Sequence, residues 1–432
     1  MNFDRMRSLL LEQAVRGMLV SQRDDEPAVK QIGKVPDDVP FLIPEKWKWI
    51  AAQDAYELLS GRDLQKGEIL NVEPEAPSIP YITGASQIID SRVLITRWTQ
   101  NCSVKSVKGD LLLTCKGTVG KTAFNTVGDM HIARQIMALR AKPEIVEGKF
   151  LRLFIDSIAE TLAKNAKSMI PGIDRKTLLK NSIPIPPLKE QRRIVAKLEE
   201  SFAEIDRAEK AYRELQTLAS VLRGKILQEA VMGKLVPQLD GEPAVEQIGE
   251  APEDVLFAIP EKWKWGRLSA VGEIVGGGTP KTGVSEYWDG DISWITPADL
   301  GKNSDQTIYS GAKLITQKGL DKSSAKLMPK GSIVYSSRAP IGHIAVAGKE
   351  LCTNQGCKSF VPDTKFISTE WAYYILIART GDIQSRASGT TFKEISGKGM
   401  GETWISLHPL PEQRRIVAKV EELMAQVDRL AT

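Results

Sequence analysis

Among 432 residues the chain has three histidines (His131, His343, His408) and four cysteines (Cys102, Cys115, Cys352, Cys357), with no Cys-x-x-Cys pair. A zinc centre needs closely spaced nitrogen and sulfur ligands, which this distribution does not offer. Free thiols in a reducing compartment are expected instead. The glycine run at 276–278 could invite a phosphate, but it lacks the GxxxxGK[ST] pattern and runs into Thr279-Pro280. It reads as a turn that breaks a strand. The remaining chemistry is that of cations and amides. Residues 46–185 carry 20 basic and 14 acidic side chains, residues 263–408 carry 17 and 13, and the rest carries 21 and 27. Two positive segments on an acidic frame suit a polyanion, because neutralising phosphates supplies much of the affinity for nucleic acid.

The frame that must position those segments is written twice. EPAVKQIGKVPDDVPFLIPEKWKW at 26–49 returns as EPAVEQIGEAPEDVLFAIPEKWKW at 242–265, and PLKEQRRIVAKLEE at 187–200 returns as PLPEQRRIVAKVEE at 409–422. A period above 200 residues points to duplicated domains rather than a solenoid. The two displacements, 216 and 222, place Met1 opposite Thr217 and Thr432 opposite Lys210. The termini are thus consecutive parts of one repeat unit. If both copies fold alike, the chain ends are expected to meet near a pseudo-two-fold axis.

The frame reads as helical. Residues 188–233 contain no proline, and Val195, Leu198, Phe202 and Ile205 follow 3-4 spacing. Ala208, Tyr212, Leu215, Ala219, Leu222 and Ile226 resume it after a skip, as in a coiled-coil seam. Val417, Val420, Met424 and Val427 repeat the first half, and Leu9, Leu10, Gln13 and Ala14 continue it as a separate helix. Pro187 and Pro409 stand at the helix starts, where proline is tolerated. The 46 residues would make a rod of roughly 70 Å, paired antiparallel with its counterpart. No run of 18 apolar residues occurs, so no transmembrane helix is expected, and the N-terminus lacks a signal-peptide core.

The variable segments read as compact mixed β/α domains with strands broken by Gly, Pro and Asp turns. Hairpins are expected at 331–348 (GSIVYSSRAPIGHIAVAG) and 109–125 (GDLLLTCKGTVGKTAFN), and helices at 148–165 and 368–384. The fold class is therefore α/β (α+β), two such domains separated by an antiparallel pair of long helices. The expected division is 1–25, an N-terminal helix completing the distal conserved region; 26–186, the first variable domain; 187–234, the central helix; 235–408, the second variable domain; and 409–432, the distal helix.

The duplicated PLxEQRRIVAK helix start, IPEKWKW before each variable segment, GGTPKTGVSEYWDGDISWI at 277–295, and SSRAPIGHIAVAG followed by TNQGCKSFVP at 336–362 carry a resemblance over essentially the whole chain. The chain resembles the specificity subunits of type I DNA restriction–modification systems. One departure is HIARQ at 131–135, where the second segment has TNQG at 353–356.

The resemblance implies two target-recognition domains, each reading half of a split duplex DNA sequence. Paired helices would set the spacer and dock two methyltransferase subunits, with restriction subunits joining in the full cytoplasmic complex. No catalysis is expected from this chain. The only Pro-Pro, Pro186-Pro187, lacks the Asn or Asp before it and the aromatic after it that an adenine methyltransferase loop needs. S-adenosylmethionine is expected in the methyltransferase partner, with no cofactor or metal in this chain. DNA contact is expected at Thr83, Gly84, Lys116, Thr118, Lys121, Arg134 and Gln135 in the first domain. In the second it is expected at Thr279, Lys281, Thr296, Ser336, Arg338, Asn354, Gln355 and Lys358, with Lys393 beside Thr390-Thr391 a weaker candidate. Lysine and arginine hold phosphates or read guanine, and Asn and Gln pair with adenine. The duplicated Trp47/Trp49 and Trp263/Trp265 are expected to pack in the scaffold. The rival readings are a coiled-coil adaptor for proteins only, and the recognition region of a single-chain methyltransferase or nuclease.

Overall fold

The longest element is the helix Leu188–Val231, which runs 44 residues without a break. Its end is chemically defined. Gly233 sits at φ +73°, the Lys234 amide donates to the Glu229 carbonyl and the Gly233 amide to Ala230. That is a Schellman cap, for which a left-handed glycine is the cheapest residue. The N-terminal helix Phe3–Val15 ends the same way, with Gly17 at φ +72° and Met18 and Gly17 donating to Gln13 and Ala14. A Cβ on either glycine would lie 2.4 Å from a proline ring, Pro44 or Pro260.

The computed structural model describes residues 2–35, 39–164, 172–253, 257–338, 340–389 and 393–431. Two units are resolved, Met1–Ala211 and Tyr212–Thr432. In the first, the N-terminal helix packs antiparallel on the first half of the long helix, with Arg7 paired to Asp206 and Glu209 at 2.6 Å each. In the second, the helix Leu410–Ala431 packs antiparallel on the other half, with Arg223 paired to Asp428 at 2.5 Å and Gln216 donating to the Ala431 carbonyl. The circular phase of the repeat is realised as one helix pair per unit.

The seam differs from the expected stripe. Val195, Leu198, Phe202 and Ile205 pack inward as expected, as do Val417, Val420, Met424 and Val427. Beyond them, Leu215 and Leu222 are exposed, as are Ala208, Leu9 and Gln13. The packed rows contain Phe3, Leu10, Leu11 and Ala14 in one unit and Ala219, Ile226, Leu227 and Ala230 in the other. Each row has an arginine in its middle, Arg7 or Arg223, whose guanidinium reaches an acid on the partner helix. A search for apolar spacing skips that position and slides the stripe.

The first unit folds residues 48–185 into β-structure backed by the helix Gly148–Lys164. Strand Lys48–Ala51 pairs antiparallel with Ser182–Ile185 and closes the segment at its base. One sheet orders Tyr56–Ser60, Ile136–Ala141, Leu111–Thr114 and Thr122–Phe124, and another orders Trp98–Thr99, Ile79–Ile82, Met130–Ile132 and Lys105–Ser106. In the second unit Lys264–Arg267 pairs with Trp404–Leu407. A five-stranded sheet orders Gly272–Gly276, Lys358–Pro362, Ile333–Tyr335, Ile344–Ala347 and Thr307–Ile308, and a three-stranded one orders Lys313–Ile315, Trp288–Ile295 and Cys352–Thr353. The helix Thr369–Ser385 backs this unit. Both expected hairpins form, Leu111–Thr114 with Thr122–Phe124 and Ile333–Tyr335 with Ile344–Ala347.

The repeated blocks recur because they bind each other. Gln191 accepts from the Glu147 amide at 2.8 Å and donates to the Ile145 and Pro186 carbonyls. Gln413 does the same with Ser368, Phe366 and His408. Arg193 grips Glu26 through two bonds of 3.0 and 2.7 Å, and Arg415 grips Glu242 at 3.2 and 2.6 Å. Trp47 and Trp263 are fully buried. Trp47 donates to Glu190 at 3.0 Å, whereas Trp263 stacks on His408 with ring centroids 4.0 Å apart. These tryptophans are scaffold, as expected.

Candidate nucleic-acid interface

The tip of each variable segment is built on one hydrogen-bond lattice. In the first unit the Thr114 Oγ1 accepts from the Lys121 amide at 2.9 Å, and the Thr114 carbonyl accepts from Gly120. In the second the Ser336 Oγ accepts from the His343 amide at 2.8 Å, and the Ser336 carbonyl accepts from Gly342. The Cys115 amide donates to Gln135 and the Ile173 amide to Cys115. In the second unit Ser337 donates to Gly356 and Ile395 to Ser337. A neighbouring loop is held by Gly61 and Arg62 donating to Ile136 and Ile132, matched by Gly277 and Gly278 donating to Cys357 and Thr353. This lattice fixes the register that the sequence left open. Ala133, Arg134 and Gln135 occupy the places of Asn354, Gln355 and Gly356. His131 lies one strand earlier, buried, with Nε2 2.8 Å from the Arg62 carbonyl and Nδ1 accepting from the Val104 amide. It is a core residue of the sheet.

The expected contact residues separate into three groups. Lys116 and Thr118 in the first unit and Lys281 in the second are exposed on loops. Lys393 is exposed too, whereas Thr390 and Thr391 lie outside the described residues. Arg134 and Gln355, also exposed, occupy matched positions with matched partners. Arg134 Nε is 2.8 Å from Asp63 Oδ2, and the Arg134 amide donates to the other Asp63 oxygen at 3.1 Å. The Thr279 hydroxyl donates to Gln355 Oε1, and Thr279 stands where Asp63 stands in the first unit.

The third group is engaged within the fold. Ser336 is wholly buried, and its hydroxyl donates to Pro340 while accepting from two amides. Direct DNA contact by Ser336 is corrected to a turn-shaping role. The Thr296 hydroxyl caps the helix Pro297–Lys302, donating to Asp299 at 2.6 Å. The Thr83 hydroxyl donates to Gln87 at 2.8 Å. Asn354 Oδ1 accepts from the Gly356 amide. Lys121 Nζ reaches the Ala85 and Ile88 carbonyls at 3.4 and 3.3 Å. Lys358 Nζ meets Glu394 at 3.2 Å, and Arg338 lies 4.0 Å from the same carboxylate. Gly84 and Gln135 form a size-matched contact, because a Cβ on Gly84 would fall 2.3 Å from Gln135 Oε1. The second unit reverses it, with Pro297 2.9 Å from where a Cβ on Gly356 would be.

Two acidic residues, Asp63 and Glu394, belong to this surface and were missed by a search for cations and amides. The signal available was Glu394 beside Lys393 and Asp63 beside Arg62, which by itself does not distinguish a partner from a solvated charge.

The family model described as the type I restriction modification DNA specificity domain matches this chain twice, over residues 44–216 and 260–431. The MjaIX specificity subunit of Methanocaldococcus jannaschii is 38% identical over 173 residues, 40% of either chain. The putative MjaX specificity subunit of the same organism is 23% identical over 88% of this chain and 87% of its own. The EcoAI specificity subunit of Escherichia coli is 24% identical over 99% and 90%. Among solved structures, a chain from work on complex assembly and conformational transition of the type I R-M system is 23% identical. It has a TM-score of 0.70 and a match covering 91% of this chain and 93% of its own. The HsdS subunit from Thermoanaerobacter tengcongensis gives 0.57 at 22% identity, covering 90% and 92%. Both show likeness of fold.

Proposed function

The chain belongs to the type I restriction–modification DNA specificity family, matched in both halves, and from that premise we propose that it reads a bipartite duplex DNA target, one half per variable segment. The observation that carries this reading is the shared lattice with unshared tips. The same backbone bonds present Asp63–Arg134 in one unit and Thr279–Gln355 in the other. A scaffold that holds position constant while changing hydrogen-bonding character suits two unlike half-sites. Lys116, Lys281 and Lys393 supply exposed charge for phosphates.

The chain acts as a recognition subunit and leaves chemistry to its partners. Two methyltransferase subunits dock on the repeated helix surfaces and bring S-adenosylmethionine, and restriction subunits complete the cytoplasmic complex. No described helix is long and apolar enough to cross a membrane. Purified free of partners, the chain is expected to transfer no methyl group to DNA, and incorporation by such a preparation would overturn the division of labour.

The decisive experiment exchanges residues 46–185 for the matching segment of a relative and maps modified bases in duplex DNA. One half-site should change and the other persist. Simultaneous change of both would rule out independent reading. The helix Leu188–Val231 is continuous through both units, and we assign it the role of spacer ruler. Four residues inserted near Leu215 add ~6 Å and should lengthen the unread spacer by about one to two base pairs.

A further inference from the structure

We infer that Arg134 and Gln355 are the matched base-reading positions of the two units, and that Asp63 and Thr279 are the residues that orient them. This rests on the DNA-reading function proposed above. Asp63 bridges the Arg134 amide and Nε, so the carboxylate engages the inner side of the guanidinium. The two terminal nitrogens donate no hydrogen bond among the described residues. They form the donor pair that guanine O6 and N7 require. An exposed ion pair of this kind adds little stability, and the two side chains are 67% and 44% exposed. A carboxylate near phosphates also opposes binding. Orientation of the arginine is the contribution left to Asp63.

In the second unit the Thr279 hydroxyl donates to Gln355 Oε1. That oxygen keeps a second lone pair, and the amide nitrogen keeps its donors. Adenine presents an N6 donor and an N7 acceptor, which a glutamine held in this way matches bidentately. The other expected base readers are less available. Arg338 and Lys358 share Glu394, and Lys121 is tied to main-chain carbonyls. The first half-site therefore contains a guanine read by Arg134, and the second an adenine read by Gln355.

The test uses the complex of this chain with its methyltransferase partner and selection from duplexes randomised in both half-sites. Asp63→Ala should relax one guanine position in the first half-site, where an intact bidentate contact discriminates by roughly five- to 150-fold. Grafting the other unit's pair, Asp63→Thr with Arg134→Gln, should turn that guanine into adenine. Thr279→Asp with Gln355→Arg should do the converse in the second half-site. The untouched half-site reports folding and assembly in every variant. An unchanged motif, or a uniform loss of affinity across all sequences, would overturn the inference while leaving bipartite reading intact. A wild-type complex that selects no sequence would overturn both.

Discussion

The turns at 114–121 and 336–343 make the same three hydrogen bonds around a Thr or Ser residue, two to its backbone and one to its hydroxyl, yet they differ in how their charges are held. Lys116 is exposed on the first turn, whereas Arg338, its counterpart on the second, lies within reach of a carboxylate also bound to Lys358. Geometry at these tips is set by backbone bonds and buried hydroxyls, while the exposed side chains and their acids differ. The frame shows the opposite balance. Arg193–Glu26 and Arg415–Glu242, and Gln191 and Gln413, repeat bond for bond. Where the frame does vary, at Trp47 and Trp263, the substituted contact is buried.

The largest expected effect tests whether that frame is equivalent in the two units. Trp47→Ala and Trp263→Ala should each cost about 3–5 kcal/mol, the range for emptying a large buried aromatic site. Urea unfolding with a probe in each unit should show the loss confined first to the mutated one. Equal loss in both units from either change would mean they do not fold separately.

Acid should separate the units next. His408 is fully buried against Trp263 and Trp371, and desolvation lowers its pKa to about 3. The first unit has Pro186 at that place. An unfolded histidine titrates near 6.5, so between that pH and about 3 the unfolded chain holds a proton that the folded one lacks. Stability is complete above about pH 6.5 and falls as pH drops, by up to about 1.4 kcal/mol per pH unit. Glu412 works in the other direction, since burial raises its pKa. Its raised value favours the folded state as pH falls through the carboxylate range. Hydrogen exchange at pH 7 and pH 5 should show the second unit losing protection first, and His408→Leu should remove the difference.

A smaller and symmetric effect is expected at the helix ends. Gly17→Ala and Gly233→Ala force a Cβ into left-handed backbone at a cost of about 1–2 kcal/mol, with the proline contacts adding to it. Thermal unfolding should show similar losses, and a clear inequality would break the equivalence of the caps. The smallest effect is at the interhelical ion pairs. Arg7 binds two carboxylates of the long helix, besides Asp4 of its own, and Arg223 binds one, so Arg7→Ala should cost more than Arg223→Ala. The loss at the more exposed Arg223 should stay below about 1 kcal/mol, as measured by denaturation in low and high salt.

Hairpins, helices and scaffold tryptophans were legible because each follows from local pattern: alternating strands around Gly turns, proline-free helical spacing, and duplicated aromatic blocks. The seam was only half legible, since Arg7 and Arg223 stand in the middle of each row and carry no apolar signature. At the tips, residue type singles out Arg134 and Gln355 as candidates but not the residues that pair with them. Asp63 is 71 residues from Arg134 and Thr279 is 76 from Gln355. Such pairings follow from strand order. Ser336 was misread for the same reason, as its hydroxyl is claimed by a turn that a sequence does not display.

The clasp between Glu26 and Arg193, repeated as Glu242 and Arg415, behaves like a standardised connector. Each acid lies at the entrance to a variable segment and each arginine just past its exit, with near-identical residues around both. A genetic crossover within either repeated block would exchange the interior and still leave a fitting plug and socket. New reading domains could thus be acquired whole, without a compensating change anywhere in the frame.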